Sequence, residues 1–375
     1  MIEDEVYRTS TQFRLWSFTP AQLTSLRAHT NATAADRVRA AVKRDVDCLT
    51  LDEEQKLLSF CLTLTLDTAQ KLGLSATIAS TAVQYMKRFY LYNSVMTYHP
   101  QQIMLCALFM AIKTEGPYFD LDVYVDRLMK QGGVKEKDAR RENILAMEFI
   151  LIQGLRYTLD VKHPQRAMKG MVIEMQSLAE GTALIPPAIG KSAKELQQEL
   201  QSLPRTMGSP PTQSSVEQVK QRINQAYGLS KDIQKVATTN DSYFHYTPSQ
   251  IAHAIYLMTD EPLALWYLSA KVPSSAPVHA KILNTLRACT KLLSAPPSYT
   301  HAEATAAVKK LRKCQNPDKL DLVALSKGKK RDGAQDGKLE ESLAKRRKLE
   351  REKSMQEGEA LFGPSLAVKT EPKDA

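Results

Sequence analysis

Residues 98–103 have the sequence Tyr-His-Pro-Gln-Gln-Ile, and a similar motif, Tyr-Thr-Pro-Ser-Gln-Ile, occurs at residues 246–251, 148 positions later. Each copy places a proline where a helix can begin, because the fixed φ of proline suits the first turn and its missing N–H is not needed there. A nearly all-apolar segment follows each proline, over 103–112 and 251–258. A helix that is apolar on all sides has to be buried by other helices. The chain is therefore predicted to contain two copies of one helical domain, each built around a buried central helix.

The rest of the chain also has helical character. Its 375 residues, 43% of them hydrophobic, provide room for two ordinary domains with real cores and for flanking tails. Apolar residues recur at steps of three and four, and no alternating strand pattern is present. The sequence therefore predicts an all-α protein. The expected parts are an N-terminal helical extension over 1–51, five-helix units over 52–160 and 161–295, a C-terminal helix over 296–315 and a disordered charged tail over 316–375.

One segment of the second unit departs from this regular plan. Residues 181–214 contain five prolines and several glycines, with one amphipathic fragment over 193–203. This composition predicts a surface insertion that is partly disordered.

Charge and cysteine content argue against several classes of protein. The net charge of +10 is spread along the chain, without a dense basic helix interleaved with aromatic residues, so no direct nucleic-acid contact is expected. The five cysteines are far apart and form no C-x-x-C pair, which indicates neither a zinc site nor a disulfide framework. No cofactor or metal motif is found, and no apolar run approaches the ~20 residues of a membrane span. We expect a soluble intracellular protein without cofactors.

Residues 84–100, Gln-Tyr-Met-Lys-Arg-Phe-Tyr-Leu-Tyr-Asn-Ser-Val-Met-Thr-Tyr-His-Pro, closely resemble the heart of a cyclin box. Residues 246–252 resemble the matching point of the second box of that family. The chain resembles cyclins over residues 10–315, most strongly over 75–165, and among cyclins it looks most like cyclin H, the regulatory subunit of the TFIIH-associated kinase. The resemblance implies two tandem cyclin-box repeats of five helices each.

Two charged residues are the sharpest candidates for a site. Lys113 ends the first apolar helix, and Glu148 interrupts an apolar stripe formed by Ile144, Leu151 and Leu155. A charge in such a stripe is costly unless it is paired. The residues alone leave an ordinary alternative open, in which Lys113 caps a helix C-terminus and Glu148 sits at the exposed edge of the stripe. The resemblance implies more, since both positions match the Lys/Glu pair through which cyclins contact their kinase.

The resemblance also implies a function without catalytic residues. A cyclin binds a cyclin-dependent kinase and positions the kinase's αC helix; the implied substrate is the C-terminal domain of RNA polymerase II, and in some lineages other cyclin-dependent kinases. The expected partners are the kinase, a RING-finger assembly factor and core TFIIH, in the nucleus. Residues 114–116, Thr-Glu-Gly, stand where many cyclins have a hydrophobe and two acids.

Three alternatives stay open at the level of sequence. The chain could be another transcriptional cyclin, of the cyclin C or elongation type. It could be a DNA-binding factor resembling TFIIB, although that family carries an N-terminal zinc ribbon and this chain has no cysteine before Cys48. A helical enzyme is the third alternative, but no phosphate loop, metal motif or nucleophile–base arrangement supports it.

Short motifs in the tail predict targeting and modification. Two basic clusters match nuclear-import signals, and Lys369 lies in a hydrophobe-Lys-x-Glu pattern typical of sumoylation; an ordinary solvated charge run is the alternative for the clusters. In the second unit, Ser209-Pro210 fits either a proline-directed phosphorylation site or a structural turn. The clusters consist of Lys329, Lys330 and Arg331, and of Lys345, Arg346, Arg347 and Lys348.

Overall fold

The computed structural model describes residues 7–42, 46–116, 120–130, 137–185, 189–295 and 299–314. Every regular element in these ranges is a helix, which confirms the all-α prediction. None of the described helices combines the length and the apolar composition needed to cross a membrane. The helices are α1 (Thr11–Trp16), α2 (Pro20–Val42), α3 (Leu51–Lys71), α4 (Ala76–Tyr92), α5 (Pro100–Glu115), α6 (Leu121–Lys130), α7 (Lys137–Gly154), α8 (Pro164–Glu180), α9 (Ala193–Gln201), α10 (Val216–Thr239), α11 (Ser242–His245), α12 (Pro248–Thr259), α13 (Glu261–Lys271), α14 (Pro277–Leu293) and α15 (His301–Lys313).

The two copies of the repeated motif, at 98–103 and 246–251, begin the two central helices, as predicted. α5 has Pro100 in its first turn, and the His99 imidazole accepts a hydrogen bond from the Gln101 amide at 3.3 Å. α12 has Pro248 in its first turn and a capping box formed by Thr247 and Gln250. A cap of this kind satisfies amide groups that have no partner within the helix. The same local chemistry therefore begins both helices.

The central helices are each surrounded by other helices. α5 packs against α3, α4 and α7, which together with α6 form the first unit. α12 packs against α8, α10, α13 and α14, and we call the region from α8 to α14 the second unit. Burial on all sides explains why both central helices carry almost no polar residues in their middle.

The two units meet where α10 packs against α3 and α4. Lys87 of α4 is buried at this junction and donates hydrogen bonds to the backbone carbonyls of Thr238 and Asn240. Its neighbour Arg88 is also buried, and donates to the carbonyl of Asp160 at 3.2 Å, in the linker between the units. Adjacent residues of one helix thus bind the second unit and the linker.

The segment 181–214 contributes to the core of the second unit. The amphipathic fragment forms α9, whose Leu196 and Leu200 are buried, and the helix packs against α8, α10 and α13. Arg222 of α10 donates to the carbonyl of Pro204 at 2.9 Å and forms a two-bond ion pair with Asp260, at 2.6 and 2.7 Å. The described part of the segment is therefore more closely integrated than its proline content predicts.

The terminal helices also pack on the two units. Arg27 of α2 forms a two-bond ion pair with Asp241, between α10 and α11, at 2.7 and 2.8 Å. α15 packs on α3, and its Glu303 accepts a hydrogen bond from Lys56 at 2.7 Å. The short helix α1 was not predicted as a separate helix within the N-terminal extension. Its Trp16 lies in a buried cluster with Leu91 of the first unit and Phe244 of the second unit.

Candidate interaction site

Lys113 and Glu148 form an ion pair between the end of α5 and the middle of α7. The two helices pack against each other, which brings residues 35 positions apart into contact. The side chain of Lys113 is 43% exposed and that of Glu148 is 21% exposed. The Lys113 ammonium also lies 5.3 Å from the centre of the Phe109 ring. The two predicted site residues therefore meet at the surface of the first unit.

The pair contributes little to the stability of the free chain. An ion pair open to solvent is worth about 0–1 kcal/mol, since water and salt screen it. Ile144, Leu151 and Leu155 of the predicted stripe are buried, so Glu148 lies at the edge of that stripe. The ordinary alternative is thus right about the location of Glu148. It does not account for the apolar surface beside the pair.

Two large apolar side chains flank Glu148 on the outside of α7. Leu145 is 47% exposed and Phe149 is 59% exposed. Residues three and four apart share one face of a helix, so Leu145 is a neighbour of both Glu148 and Phe149 on the surface of α7, and Phe149 directly follows Glu148 in the sequence. We call Lys113, Leu145, Glu148 and Phe149 the pair face. Exposed apolar residues grouped around a charged pair are typical of a surface that binds another protein.

Leu145 and Phe149 were not identified from the sequence. Both are large apolar residues outside the stripe of Ile144, Leu151 and Leu155, where an amphipathic helix usually has polar residues. That mismatch is the signal that could have indicated them.

The chain just after α7 has an unusual backbone. Arg156 and Tyr157 both adopt left-handed conformations, with φ of 52° and 58°. Such a conformation costs a residue other than glycine on the order of 1–3 kcal/mol, and here the Tyr157 amide donates to the carbonyl of Ile152 at 3.0 Å, which ends α7. The Arg156 guanidinium lies 4.3 Å from the centre of the Tyr92 ring, while the Tyr157 side chain is 65% exposed. Tyr157 is a further candidate for partner contact.

A groove of about 1320 Å³ lies between the first and second units. Apolar side chains from α3, α10 and the end of α14 line it. Gln165 of α8 also lines the groove, and its side-chain oxygen is buried and has no hydrogen-bond partner among the described residues. The apolar lining includes Leu58, Leu62, Leu66, Tyr227, Val236 and Leu293.

The other motifs of the sequence divide into two groups. Both basic clusters and Lys369 lie outside the described residues. Ser209 is described: its hydroxyl donates to the carbonyl of Thr206 at 2.8 Å, so the residue takes part in a turn. Within the described ranges, no group of three His, Cys, Asp or Glu side chains is arranged to hold a metal ion.

The fold defines a helical protein made of two tandem repeats. The family profile described as the cyclin N-terminal domain matches residues 35–160, and the profile described as the cyclin C-terminal domain matches residues 163–294. The chain therefore belongs to the cyclin family. This confirms the predicted resemblance and the two tandem cyclin boxes.

Several cyclins are similar in sequence to part of the chain. Cyclin CCL1 of Saccharomyces cerevisiae is 26% identical over 289 residues, which cover 72% of this chain and 62% of that protein. The putative cyclin-H of Dictyostelium discoideum is 32% identical over 170 residues, covering 45% and 56%. The chain thus spans between half and two thirds of the length of these relatives.

Two solved structures are similar over more of the chain. A chain of the CAK complex from Chaetomium thermophilum bound to ATP-γ-S is 32% identical with a TM-score of 0.70, covering 90% of this chain and 97% of that one. A chain of the yeast TFIIK (Kin28/Ccl1/Tfb3) complex is 25% identical with a TM-score of 0.56, covering 77% and 100%.

Proposed function

We propose that this chain is the regulatory subunit of a cyclin-dependent kinase of the TFIIH-associated type and has no catalytic role of its own. One observation carries the proposal: the Lys113–Glu148 pair lies at the surface beside exposed Leu145 and Phe149. The likeness to chains of the CAK and TFIIK complexes supports it.

The pair face suits the backbone that leads into the αC helix of a kinase. The Lys113 ammonium can donate hydrogen bonds to carbonyl groups, and the Glu148 carboxylate can accept them from amide groups. Leu145 and Phe149 add apolar area that becomes buried when the kinase binds. Because each charge already has a partner, neither is left unpaired before binding. The face can therefore recognise a peptide segment with both donors and acceptors.

Activation follows from binding one state of the kinase more tightly than the other. A protein kinase needs its αC glutamate paired with its strand lysine before it holds ATP productively. A rigid face that binds the inward state of αC better shifts the population towards the active kinase. Moving such an equilibrium from mostly off to mostly on takes differential binding of roughly 5 kcal/mol. A large, mostly apolar interface can supply this free energy.

The likeness to chains of the CAK and TFIIK complexes supports a proposal about the substrates and the location of the complex. We propose that the assembled kinase phosphorylates the C-terminal domain of RNA polymerase II, and other cyclin-dependent kinases in some settings. We further propose import into the nucleus through the basic clusters at 329–331 and 345–348, and sumoylation at Lys369.

The groove between the units offers a second partner surface. The yeast complex named above contains a third chain besides its kinase and cyclin. We propose that a RING-finger assembly factor places an apolar segment against Leu58, Leu62 and Val236. The groove lies between α3 and α10, whereas the pair face lies on α5 and α7. Both partners could therefore bind at once, and through the third chain the complex could join core TFIIH.

Charge reversal at the pair face tests the proposal. The chain is co-expressed with the TFIIH kinase of its cell, and phosphorylation of a polymerase C-terminal repeat peptide is measured. We expect a stable, active complex, and at least a tenfold loss of activation with Lys113→Glu or Glu148→Lys. The double variant Lys113→Glu/Glu148→Lys restores the ion pair but presents reversed charges, so we expect it to fold normally and still fail to activate.

A matched pair in the second unit is the control. Lys271 and Glu174 form an ion pair of similar exposure, at 38% and 39%. Lys271→Glu should leave activation unchanged. Full kinase activity in the double pair-face variant would contradict the proposal, and the absence of a complex with any cyclin-dependent kinase would favour a DNA-binding role.

A further inference from the structure

We propose that Thr81 and His163 are positioning residues that connect the second unit to the end of the helix carrying Lys113. This inference rests on the proposed function, because it assigns a purpose to the placement of Lys113. Neither residue belongs to the pair face.

A line of hydrogen bonds joins four side chains from different parts of the fold. The Thr81 hydroxyl, fully buried on α4, lies 2.9 Å from a carboxylate oxygen of Glu115 at the end of α5. The same hydroxyl lies 2.7 Å from Nε2 of His163, the residue just before α8. The other ring nitrogen, Nδ1, lies 3.1 Å from the Tyr243 hydroxyl of α11. We call this line the Thr81 relay.

The Glu115 carboxylate, at one end of the relay, determines which group donates in each of its hydrogen bonds. A carboxylate only accepts hydrogen bonds, so Thr81 uses its single proton to donate to Glu115. The Thr81 oxygen then accepts from Nε2–H of His163, and Nδ1 accepts from the Tyr243 hydroxyl. Burial lowers the pKa of His163 to about 3, so the ring is neutral and can hold this single tautomer. Hydrogen bonds that all run one way polarise and strengthen one another.

Thr114, which precedes Glu115, is also connected through a side chain of α4, in this case to the linker between the units. The Tyr85 hydroxyl donates to the carbonyl of Leu159, in the linker, at 2.7 Å. It lies 3.0 Å from the Thr114 hydroxyl. Both residues that follow Lys113 are therefore attached, through side chains of α4, to the linker or to the second unit.

The contact with Tyr85 accounts for the threonine at position 114, where many cyclins have a hydrophobe. A hydrophobe at position 114 could not bond to Tyr85, whereas threonine can. Glu115 has an acceptor role inside the chain in addition to any role at the surface. We infer that the last turn of α5, and with it the direction of the Lys113 side chain, depends on the second unit although the pair face lies on the first.

Thr81→Val is the decisive variant, because it keeps the shape of the side chain and removes both hydroxyl contacts. Thr81 is fully buried and cannot touch a kinase. Thr65→Val is the matched control: Thr65 is equally buried in the same unit, but its hydroxyl donates to Cys61 of its own helix and faces Met86. Thr81→Ser retains the hydroxyl and should restore the behaviour of the unchanged chain.

Hydrogen–deuterium exchange of the full chain, without kinase, is measured over residues 110–116. We expect exchange to become about tenfold faster with Thr81→Val, and to stay unchanged with Thr65→Val and Thr81→Ser. Unchanged exchange with Thr81→Val would overturn the relay. The kinase dissociation constant is then measured for the same variants, with about a tenfold weakening expected only for Thr81→Val.

The two measurements separate the inference from the proposed function. Faster exchange with unaltered kinase affinity would overturn the positioning role. If the unchanged chain binds no kinase, the proposed function is wrong, while the exchange rates still decide whether the relay holds the end of α5.

Discussion

The Lys87 ammonium lies 4.9 Å from the centre of the Phe244 ring and donates a hydrogen bond to the carbonyl of Asn240, so a charged group of the first unit is buried against the second. Burial lowers the pKa of Lys87 to about 7, although the nearby Asp241 carboxylate opposes this shift. The junction between the units therefore contains a lysine that can lose its proton near neutral pH.

The stability of the chain should rise with pH because of Lys87. Between the folded pKa of about 7 and the ordinary value of 10.5, the unfolded chain keeps the proton that the folded chain releases. From pH 7 to pH 9, the free energy of unfolding should rise about 2 kcal/mol more in the unchanged chain than in Lys87→Met. Urea unfolding at several pH values measures this difference, and parallel curves for the two proteins would contradict it.

The ion pair of Arg222 with Asp260 should be needed to hold the 181–214 segment. Both side chains are only 11% exposed, and Arg222 also binds the carbonyls of Leu203 and Pro204. Arg222→Met leaves the Asp260 carboxylate without its charged partner, so it should lower the free energy of unfolding by about 3 kcal/mol. Lys235→Met, on the same helix in an exposed pair with Asp232, should change it by less than about 0.5 kcal/mol. Equal effects of the two variants would argue against this role of the ion pair.

Helix α9 should contribute to the hydrophobic core of the second unit. Leu196→Ala removes a buried side chain and should destabilise the chain by about 2–5 kcal/mol. Leu184→Ala, in the same segment but 97% exposed, should have almost no effect. Thermal unfolding of both variants measures the contrast. A similarly small effect of Leu196→Ala would mean that the segment is only a surface insertion.

Phe149 should be important for kinase binding and unimportant for folding. Its side chain is 59% exposed beside Glu148, and large aromatic residues often dominate the binding energy of an interface. Phe149→Ala should weaken kinase binding more than tenfold and leave the melting temperature nearly unchanged. Ile173→Ala, equally exposed on α8 of the second unit, is the control and should bind the kinase normally. Titration of labelled kinase with each variant provides the dissociation constants.

Much of the fold could be predicted because its signals are local. The prolines at 100 and 248 and the apolar runs that follow them determine where the central helices begin and why they are buried. α1 was missed because its six residues are too few to show a helical period; it is stabilised by the burial of Trp16. α9 was predicted as a fragment, but its burial could not be, since that depends on α8, α10 and α13.

The site was predictable only in part. Lys113 and Glu148 were identified from a charge in an apolar stripe and from a resemblance, and the structure brings them together. The exposure of Leu145 and Phe149 depends on which helices leave one side of α7 uncovered. The contact of Thr81 with His163 joins residues 82 positions apart, and neither residue lies in a pattern that indicates the other.

The sequence by itself determined the all-α class, the two repeats with their buried central helices, and the charged residues that are candidates for the site. These follow from propensity, capping and periodicity, which act over a few residues. Only the tertiary structure decided that Lys113 and Glu148 form a pair at the surface and that apolar side chains flank this pair. It also decided that Thr81 and His163 connect the end of α5 to the second unit through hydrogen bonds. The physical reason is that hydrogen bonds and burial depend on distances in space, which the order of residues along the chain does not specify.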